Sequence, residues 1–185
     1  MWPSQSQSVP TRYNGIEMTE FFDWVNQKDQ SIGVTSREDA HALDLFHRTV
    51  HIYAFGESGG LWLQQRSHDK DLEPGLWTVS CSGHVDRGED YLTASVREFS
   101  EELGIAISAD ELEQIFYSSP TKETGYEFIT SFKLSRPVHP IPSQTEVLEV
   151  REVQLQDLKS WIVKEPEQFA SSFRFLFPKI WERLF

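Results

Sequence analysis

Short runs of apolar residues along the chain predict seven strands. Runs rich in β-branched and aromatic residues, bounded by Gly, Pro, Asp and Ser, are typical of strands. They occur at residues 21–25, 32–35, 49–55, 61–65, 77–80, 128–134 and 147–153. The first two runs lie on either side of a turn at residues 28–30. The turn residues Ser58-Gly59-Gly60 separate the third run from the fourth, which predicts a β-hairpin there.

A longer apolar period predicts three helices. The clearest spans residues 91–103, with Asp90 placed to cap its start and Gly104 placed to end it. Residues 155–163 and 175–184 are also predicted to be helical, and the Pro-rich stretch 137–142 is predicted to be a loop. Helices set among strands favour a layered α/β fold with a mixed sheet.

The length of the chain predicts one folded domain. A chain of 185 residues is in the usual range for a single domain, which we place at residues 16–185. Residues 1–15 are rich in Ser, Gln and Pro, and we expect them to form a flexible N-terminal segment.

Charge and composition exclude several function classes. The net charge is −12, from 29 acidic and 17 basic residues, whereas a general nucleic-acid binder needs a positive face. No apolar run reaches the ~18 residues of a membrane span, and the first residues lack the pattern of a signal peptide. Cys81 is the single cysteine, so no intrachain disulfide forms. We therefore expect a cytoplasmic protein that binds neither nucleic acid nor membrane.

The predicted helix at residues 91–103 has two faces of different chemistry. At about 100° per residue, one narrow stripe collects four apolar side chains, which are expected to face a core: Leu92, Val96, Phe99 and Leu103. Glu98, Glu101 and Glu102 project together from another face, where like charges destabilise a bare helix. A Mg²⁺ ion would reverse that interaction, because it prefers carboxylate oxygens. The alternative is that these glutamates form an ordinary solvated face.

The residues in and around this helix match a fixed pattern, which favours a metal site over a solvated helix face. Nine positions within 23 residues match it: Gly83, Glu89, Arg97, Glu98, Phe99, Glu101, Glu102, Gly104 and Ile105. Arg97 and Glu89, of opposite charge, are placed to brace the loop before the helix. The pattern resembles the Nudix box, and the chain is similar to Nudix hydrolases.

The resemblance implies a Nudix-type α/β/α sandwich with a mixed sheet and a Mg²⁺-dependent site, with Mn²⁺ as an alternative ion. It implies that Glu98, Glu101 and Glu102 are catalytic metal ligands, that Glu98 or a neighbour helps to deprotonate the attacking water, and that the Gly83 carbonyl is a further ligand. Family members often add a carboxylate from outside the box. Glu127, just ahead of a predicted strand, is our choice, and Glu123 is its competitor.

Residues outside the box resemble one branch of the superfamily, that of isopentenyl-diphosphate isomerase. The matching segments are His47-Arg48-Thr49-Val50-His51, Leu63-Gln64-Gln65-Arg66-Ser67 with Lys70, Pro74-Gly75-Leu76-Trp77, and Gly83-His84-Val85. Arg66 and Lys70 match positions that contact the diphosphate in that branch, which suits their chemistry. The alternative is that both are solvated surface charges.

One substitution separates this chain from the isomerases. They carry a catalytic cysteine immediately before the Gly-His pair, where Ser82 stands here. In an extended segment Cys81 points to the opposite face from Ser82, so we expect Cys81 to be buried, unreactive and directed away from the site. His84 matches a metal ligand of the isomerases and His47 matches a second, although a structural histidine is the alternative for each. The isomerases also lose part of the box, which is complete here.

These residues favour a hydrolase that cleaves a diphosphate linkage by water attack at phosphorus. The substrate class is a small-molecule diphosphate, either a nucleoside diphosphate derivative or a similar organic diphosphate. Two alternatives remain: an isopentenyl-diphosphate isomerase and a Nudix module that binds a nucleotide without cleaving it. The resemblance also implies a homodimer as one option, because Nudix proteins are often dimers.

Overall fold

A computed structural model describes residues 12–13, 16–17 and 19–185 of the chain. Apart from residues 12 and 13, the predicted flexible segment lies outside the described residues. The described part contains eleven strands: β1 (Arg12–Tyr13), β2 (Ile16–Glu17), β3 (Phe21–Val25), β4 (Ser31–Ser36), β5 (His47–Tyr53), β6 (Leu61–Arg66), β7 (Trp77–Thr78), β8 (Cys81–His84), β9 (Leu112–Ser118), β10 (Glu127–Leu134) and β11 (Val147–Val153). It also contains four α-helices: α1 (Arg37–Ala42), α2 (Tyr91–Leu103), α3 (Leu155–Lys164) and α4 (Ser171–Ile180).

The strands form one mixed sheet and three antiparallel ones. The mixed sheet has the order β8-β5-β10-β9, in which only β5 and β10 are parallel. The order β11-β6-β7 gives a three-stranded antiparallel sheet, and β3-β4 and β1-β2 form two-stranded ones. Strand β8 is therefore an edge of the mixed sheet.

Helix α2 begins and ends where the sequence predicts. The Asp90 side chain accepts a hydrogen bond of 2.7 Å from the Thr93 N–H, which satisfies one free donor of the first turn. Gly104 ends the helix with φ 67°, in the left-handed region that glycine adopts without a steric cost. No helix in the described part of the chain has the length and apolar character needed to cross a bilayer.

Two apolar cores cover the two faces of the mixed sheet. Under α2, Phe99 and Leu103 pack with Val50, Ile52 and Cys81. On the other side, helices α3 and α4 join the three-stranded sheet in a second core, represented by Tyr53, Leu63, Leu158, Phe173 and Phe177. Helices on both sides of the sheet layers give the α/β fold with a mixed sheet that the sequence predicts.

Several local predictions are wrong. Strands β5 and β6 do not form a hairpin: apart from one bridge between Phe55 and Leu61, they pair within different sheets. Of the strand predicted at residues 77–80, only Trp77–Thr78 forms a strand, β7, and the next strand, β8, begins at Cys81 in a different sheet. Helix α1 and strand β9 were not predicted. Helix α4 begins four residues before its predicted start, at Ser171.

The apolar stripe on α2 is only partly buried. Phe99 and Leu103 are buried as predicted and Val96 is half-buried, but Leu92 is 37% exposed. Leu92 is in the first turn, whereas the buried positions of the helix begin at Ala94. Its position along the helix axis, rather than its angle around it, leaves it in contact with solvent.

Candidate active site

Helix α2 lies against edge strand β8 at a point where no side chain intervenes. The Glu98 carboxylate occupies the space beside the Cα of Gly83, where a methyl group would be only 2.0 Å from the carboxyl carbon. Glycine at this position therefore lets a carboxylate and a strand backbone approach closely. The predicted pair Gly83 and Glu98 is brought together.

Glu102, one turn further along α2, reaches the same strand. Its Oε2 accepts hydrogen bonds from the Ser82 backbone N–H at 3.2 Å and from Gln64 Nε2 at 2.7 Å. Gln64 belongs to β6, so Glu102 is held between the edge of the mixed sheet and the three-stranded sheet. We call the boundary between these two sheets, where Glu102 lies, the cleft.

Arg97 holds the loop before α2, as predicted. Its guanidinium donates to Glu89 at 3.0 and 2.8 Å and to the His84 carbonyl at 3.0 Å. The same group donates to Glu98 at 2.7 Å and to the more exposed Glu101 at 3.3 Å. One cation thus neutralises part of a strongly acidic cluster and fixes the loop between β8, which carries Gly83, and α2.

The environment of Glu98 and Glu102 disfavours their charged forms. Burial and the neighbouring Glu102 charge raise the pKa of Glu98 against the opposing effect of Arg97. Burial also raises the pKa of Glu102, although Lys70, Gln64 and the Ser82 N–H oppose it. The half-buried Glu98 and the buried Glu102, one turn apart on α2, offer hard oxygen donors of the kind that suit Mg²⁺. The residues present therefore fit the predicted ion.

The two predicted diphosphate contacts lie beside this site. The Lys70 charge acts on Glu102, and its ammonium group pairs with Glu146. Arg66 ends strand β6 and donates through Nε to the Leu72 carbonyl at 3.0 Å, which leaves its remaining guanidinium donors for other partners. The Arg66 charge acts on Lys70 in turn, so the two cations are near each other and Lys70 is near Glu102.

A second cluster lies on the opposite face of the mixed sheet. His41, His47, His84 and Glu127 each offer one ligand atom within 4.8 Å of the others. Glu127 Oε1 is 3.3 Å from His84 Nε2 and 3.5 Å from His47 Nε2. Burial lowers the pKa of His84 to about 3, so this imidazole is neutral at pH 7. Neutral imidazoles with one carboxylate can hold a divalent transition metal.

The β3–β4 hairpin and α1 cover this cluster. The Phe22 ring of β3 stacks on His84 and His47, with centroids 4.5 and 5.3 Å apart. His41 of α1 meets both histidine rings edge-on. Within the described residues, the buried Nε2 of His41 has no hydrogen-bond partner, and the Nε2 atoms of His47 and His84 share the single Oε1 of Glu127 at long distance. A bound cation would satisfy these nitrogen atoms.

The structure groups Glu127 differently from the sequence interpretation. We expected it to complete the carboxylate set of the box, but it lies with His47 and His84. Its pKa is well below the usual value, because those two histidines outweigh the effect of burial. The competitor Glu123 is exposed. His41 and Gln64 were missed as site residues, since neither belongs to the box and only the fold brings them there.

Strand β8 presents Cys81 and Ser82 to opposite faces, as predicted. Cys81 pairs with Ile52 and is fully buried in the core under α2. Burial, followed by the charges of Glu102 and Glu98, raises its pKa well above normal, so the thiol is protonated and unreactive. The expectation that it points away from the whole site is wrong, because it lies beside Glu102. Ser82 lies on the histidine side.

The segments that carry these features are similar to known proteins. The NUDIX domain family model matches residues 45–173. Nudix hydrolase 3 of Arabidopsis thaliana is 33% identical over 165 residues, which cover 82% of this chain but only 21% of that relative. Isopentenyl-diphosphate delta-isomerase 2 of Photorhabdus laumondii subsp. laumondii is 30% identical over 159 residues, covering 85% of this chain and 90% of the relative.

A solved structure agrees in fold over nearly the whole chain. The Deinococcus radiodurans protein DR0079 superimposes with a TM-score of 0.76 at 28% identity, covering 88% of this chain and 99% of that one. The family model covers α2 and strands β5, β6, β8 and β10, which carry the residues of both clusters except His41 of α1. This chain belongs to the Nudix superfamily.

Proposed function

We propose that this chain is a Mg²⁺-dependent hydrolase that cleaves a diphosphate linkage by water attack at phosphorus. The observation that carries the proposal is the carboxylate pair Glu98 and Glu102, which α2 places against strand β8. Glu98 lies against Gly83, where there is no room for a side chain, and Glu102 accepts a hydrogen bond from the Ser82 N–H. Nothing in folding alone favours two carboxylates in this position, since burial opposes the charge of each. The complete Nudix box supports the same conclusion.

Acidic residues would bind the metal ion, and basic residues would bind the diphosphate. Glu98 and Glu102, with the Gly83 carbonyl and the more exposed Glu101, would hold Mg²⁺ or Mn²⁺. When bound, such an ion neutralises developing charge and lowers the pKa of bound water. Arg66 and Lys70 would orient the diphosphate from the other side of the cleft. Glu98, whose raised pKa suits proton transfer near neutral pH, would accept the proton of the attacking water.

A Mg²⁺-dependent screen of organic diphosphates, with every product identified, tests the proposal. We expect at least one nucleoside diphosphate derivative to be cleaved into two products, each of which carries one of the two phosphates of the linkage. Incorporation of ¹⁸O from labelled water into one phosphate product would establish attack at phosphorus. A wild-type protein that cleaves none of the compounds would contradict the proposal and favour a Nudix module that only binds nucleotides.

The isomerase alternative is favoured by one observation, the cluster of His41, His47, His84 and Glu127. Two of its members, His47 and His84, are at positions that the resemblance matches to metal ligands of the isomerases, and isomerase-named relatives support this alternative. Against it, Ser82 replaces the cysteine, and the protonated Cys81 lies in the core under α2. We therefore rank the hydrolase first and propose the histidine cluster as a second metal site of that enzyme. A cytoplasmic location and a homodimer belong to the same proposal.

A further inference from the structure

A group of buried polar side chains lies next to the histidine cluster, on the face of the mixed sheet turned away from α2. Strand register places Thr49 beside His84, and it places His51 between Ser82 of β8 and Ser131 of β10. Thr49, His51 and Ser131 are 5%, 2% and 0% exposed. We call these three residues the polar panel.

The rest of the protein does not fully satisfy the polar panel. Within the described residues, Thr49 Oγ1 and His51 Nδ1 are buried without a hydrogen-bond partner, and Ser131 Oγ faces the Tyr53 hydroxyl, which is itself buried and otherwise unpaired. Buried polar groups are nearly always paired with protein, ordered water or ligand, because burial without a partner is costly. The unpaired donors and acceptors on these neighbouring strands therefore indicate something that binds there and supplies their hydrogen bonds.

The panel adjoins the proposed diphosphate site. Ser82, the strand partner of His51, is only half-buried and donates its N–H to Glu102. The charges of both Arg66 and Glu127 act on His51, so His51 lies within electrostatic range of a proposed diphosphate cation and of the histidine cluster. A molecule with its diphosphate beside Glu102 and Arg66 would extend past Ser82 to His51.

The chemistry of the panel selects the class of group that it would bind. Two of its members are hydroxyls, which both donate and accept. Burial lowers the pKa of His51 to about 4, so its neutral ring offers one donor and one acceptor. Neutral donors and acceptors suit hydroxyls, whereas a hydrocarbon would leave them unpaired, and buried unpaired groups reject such a ligand strongly.

We propose that Thr49, His51 and Ser131 form a subsite for an uncharged, hydroxyl-bearing group, of the kind found in sugars, joined to the diphosphate. The proposal rests on the proposed function, since it takes the diphosphate position from it. It names the side chains that would separate sugar-bearing diphosphates from isoprenoid diphosphates, whose remaining part is hydrocarbon.

Equilibrium binding tests this subsite independently of turnover. We would titrate Glu98→Gln protein, in which we expect hydrolysis to be suppressed, with ADP-ribose and with isopentenyl diphosphate in the presence of Mg²⁺. We expect ADP-ribose to bind at least about tenfold more tightly, and Thr49→Val and Ser131→Ala each to weaken it about tenfold, as for one lost hydrogen bond. Binding of isopentenyl diphosphate should change less than about twofold.

The matched control is Thr130→Val. Thr130 is buried and lies next to Ser131 in β10, but it pairs with Val50 on the α2 face. This variant should leave both affinities unchanged. Thr49→Val and Ser131→Ala preserve the shape of the side chain closely, and the thermal midpoint of each variant verifies its folding. The test therefore does not need a substitution of His51, whose larger ring is harder to replace. Equal affinity for the two compounds, or an unchanged preference in both panel variants, would overturn the subsite. Absence of cleavage by the wild type would instead contradict the hydrolase, while leaving this binding comparison decisive for the panel.

Discussion

The Glu98 carboxylate and the Gly83 Cα are in direct contact, so a methyl group on Gly83 would lie 2.0 Å from the Glu98 carboxyl carbon. This distance is far below van der Waals contact, and Glu98 cannot simply swing away while it is bound by Arg97 at 2.7 Å. The glycine of the box therefore has a steric function that is separate from its carbonyl oxygen. It admits the carboxylate to the strand edge.

We predict that Gly83→Ala lowers kcat at least about a hundredfold, because the added methyl group displaces the carboxylate by more than an ångström. Steady-state rates with Mg²⁺ measure the effect. Gly59→Ala is the control: its φ of 78° strains an alanine, but the added methyl group meets no atom within 4 Å. That variant should lose stability and keep its rate. Normal turnover by Gly83→Ala would show that Glu98 is not needed in its observed position.

Glu98→Gln should abolish turnover and leave the fold intact. The amide cannot carry the negative charge that binds the ion or accept a proton, and we expect a loss of about 10²–10⁴-fold. Because the buried carboxylate is replaced by a neutral group of the same shape, the thermal midpoint without metal should not fall. Glu113→Gln, at an exposed position of β9, provides the matched control. Rates near wild type in the presence of Mg²⁺ would contradict the role of Glu98.

Isopentenyl diphosphate should undergo no double-bond migration. Ser82 lacks the acidity of a thiol, and the buried Cys81 is held protonated by its surroundings. Incubation with Mg²⁺, followed by chromatography of the dephosphorylated alcohols, gives the answer. Formation of dimethylallyl diphosphate above the level of a no-enzyme sample would reverse our ranking of hydrolase over isomerase.

Arg66→Ala should raise KM for the diphosphate substrate, with a smaller effect on kcat. A guanidinium that binds the diphosphate equally in the ground state and the transition state affects KM more than kcat. We expect its loss to raise KM about tenfold or more. Arg136→Ala removes an exposed arginine that pairs with Glu111, away from the cleft, and should leave KM unchanged. An unchanged KM in Arg66→Ala would assign Arg66 to ordinary surface charge.

Mg²⁺ binding should release protons above pH 4.5, the ordinary glutamate value. Glu98 and Glu102 have raised pKa values in the folded protein, so above pH 4.5 the folded state holds more protons than the unfolded state. Stability without metal therefore falls as pH rises through this range, whereas affinity for Mg²⁺ rises with pH.

Calorimetry at one pH in two buffers of different ionisation enthalpy measures the number of protons released. Glu98→Gln should release fewer than the wild type, because one of the two carboxyls no longer titrates. The same heat in both buffers for the wild type would contradict the raised pKa values.

Sequence reasoning succeeded where a residue's role depends on its near neighbours. The caps at Asp90 and Gly104, the bounds of α2, and the brace between Arg97 and Glu89 are all local. It failed where the outcome depends on distant pairing. The turn after β5 allows a hairpin, but β6 and β11 pair along six residues of β6, and β5 is occupied by β8 and β10 on its two sides.

The same limit applies to the site. The box identifies Glu98 and Glu102, because helix spacing places them one turn apart. It does not reveal that Glu127 lies across the sheet from them, since the direction of a side chain at the start of β10 depends on its register with β5. His41 was missed for a related reason: it is on a six-residue helix that was not predicted and that reaches the cluster only through the fold.

Strand β5 alternates between two environments along its length. Val50 and Ile52 fill the core under α2. On the other face, His47 belongs to the histidine cluster, and Thr49 and His51 belong to the polar panel. A single inserted or deleted residue in β5 would exchange the two sets at once, placing imidazoles in an apolar core and isoleucine among histidines. Substitutions can therefore accumulate here one position at a time, but length changes cannot, and libraries built to alter specificity should vary residue identity in β5 at fixed length.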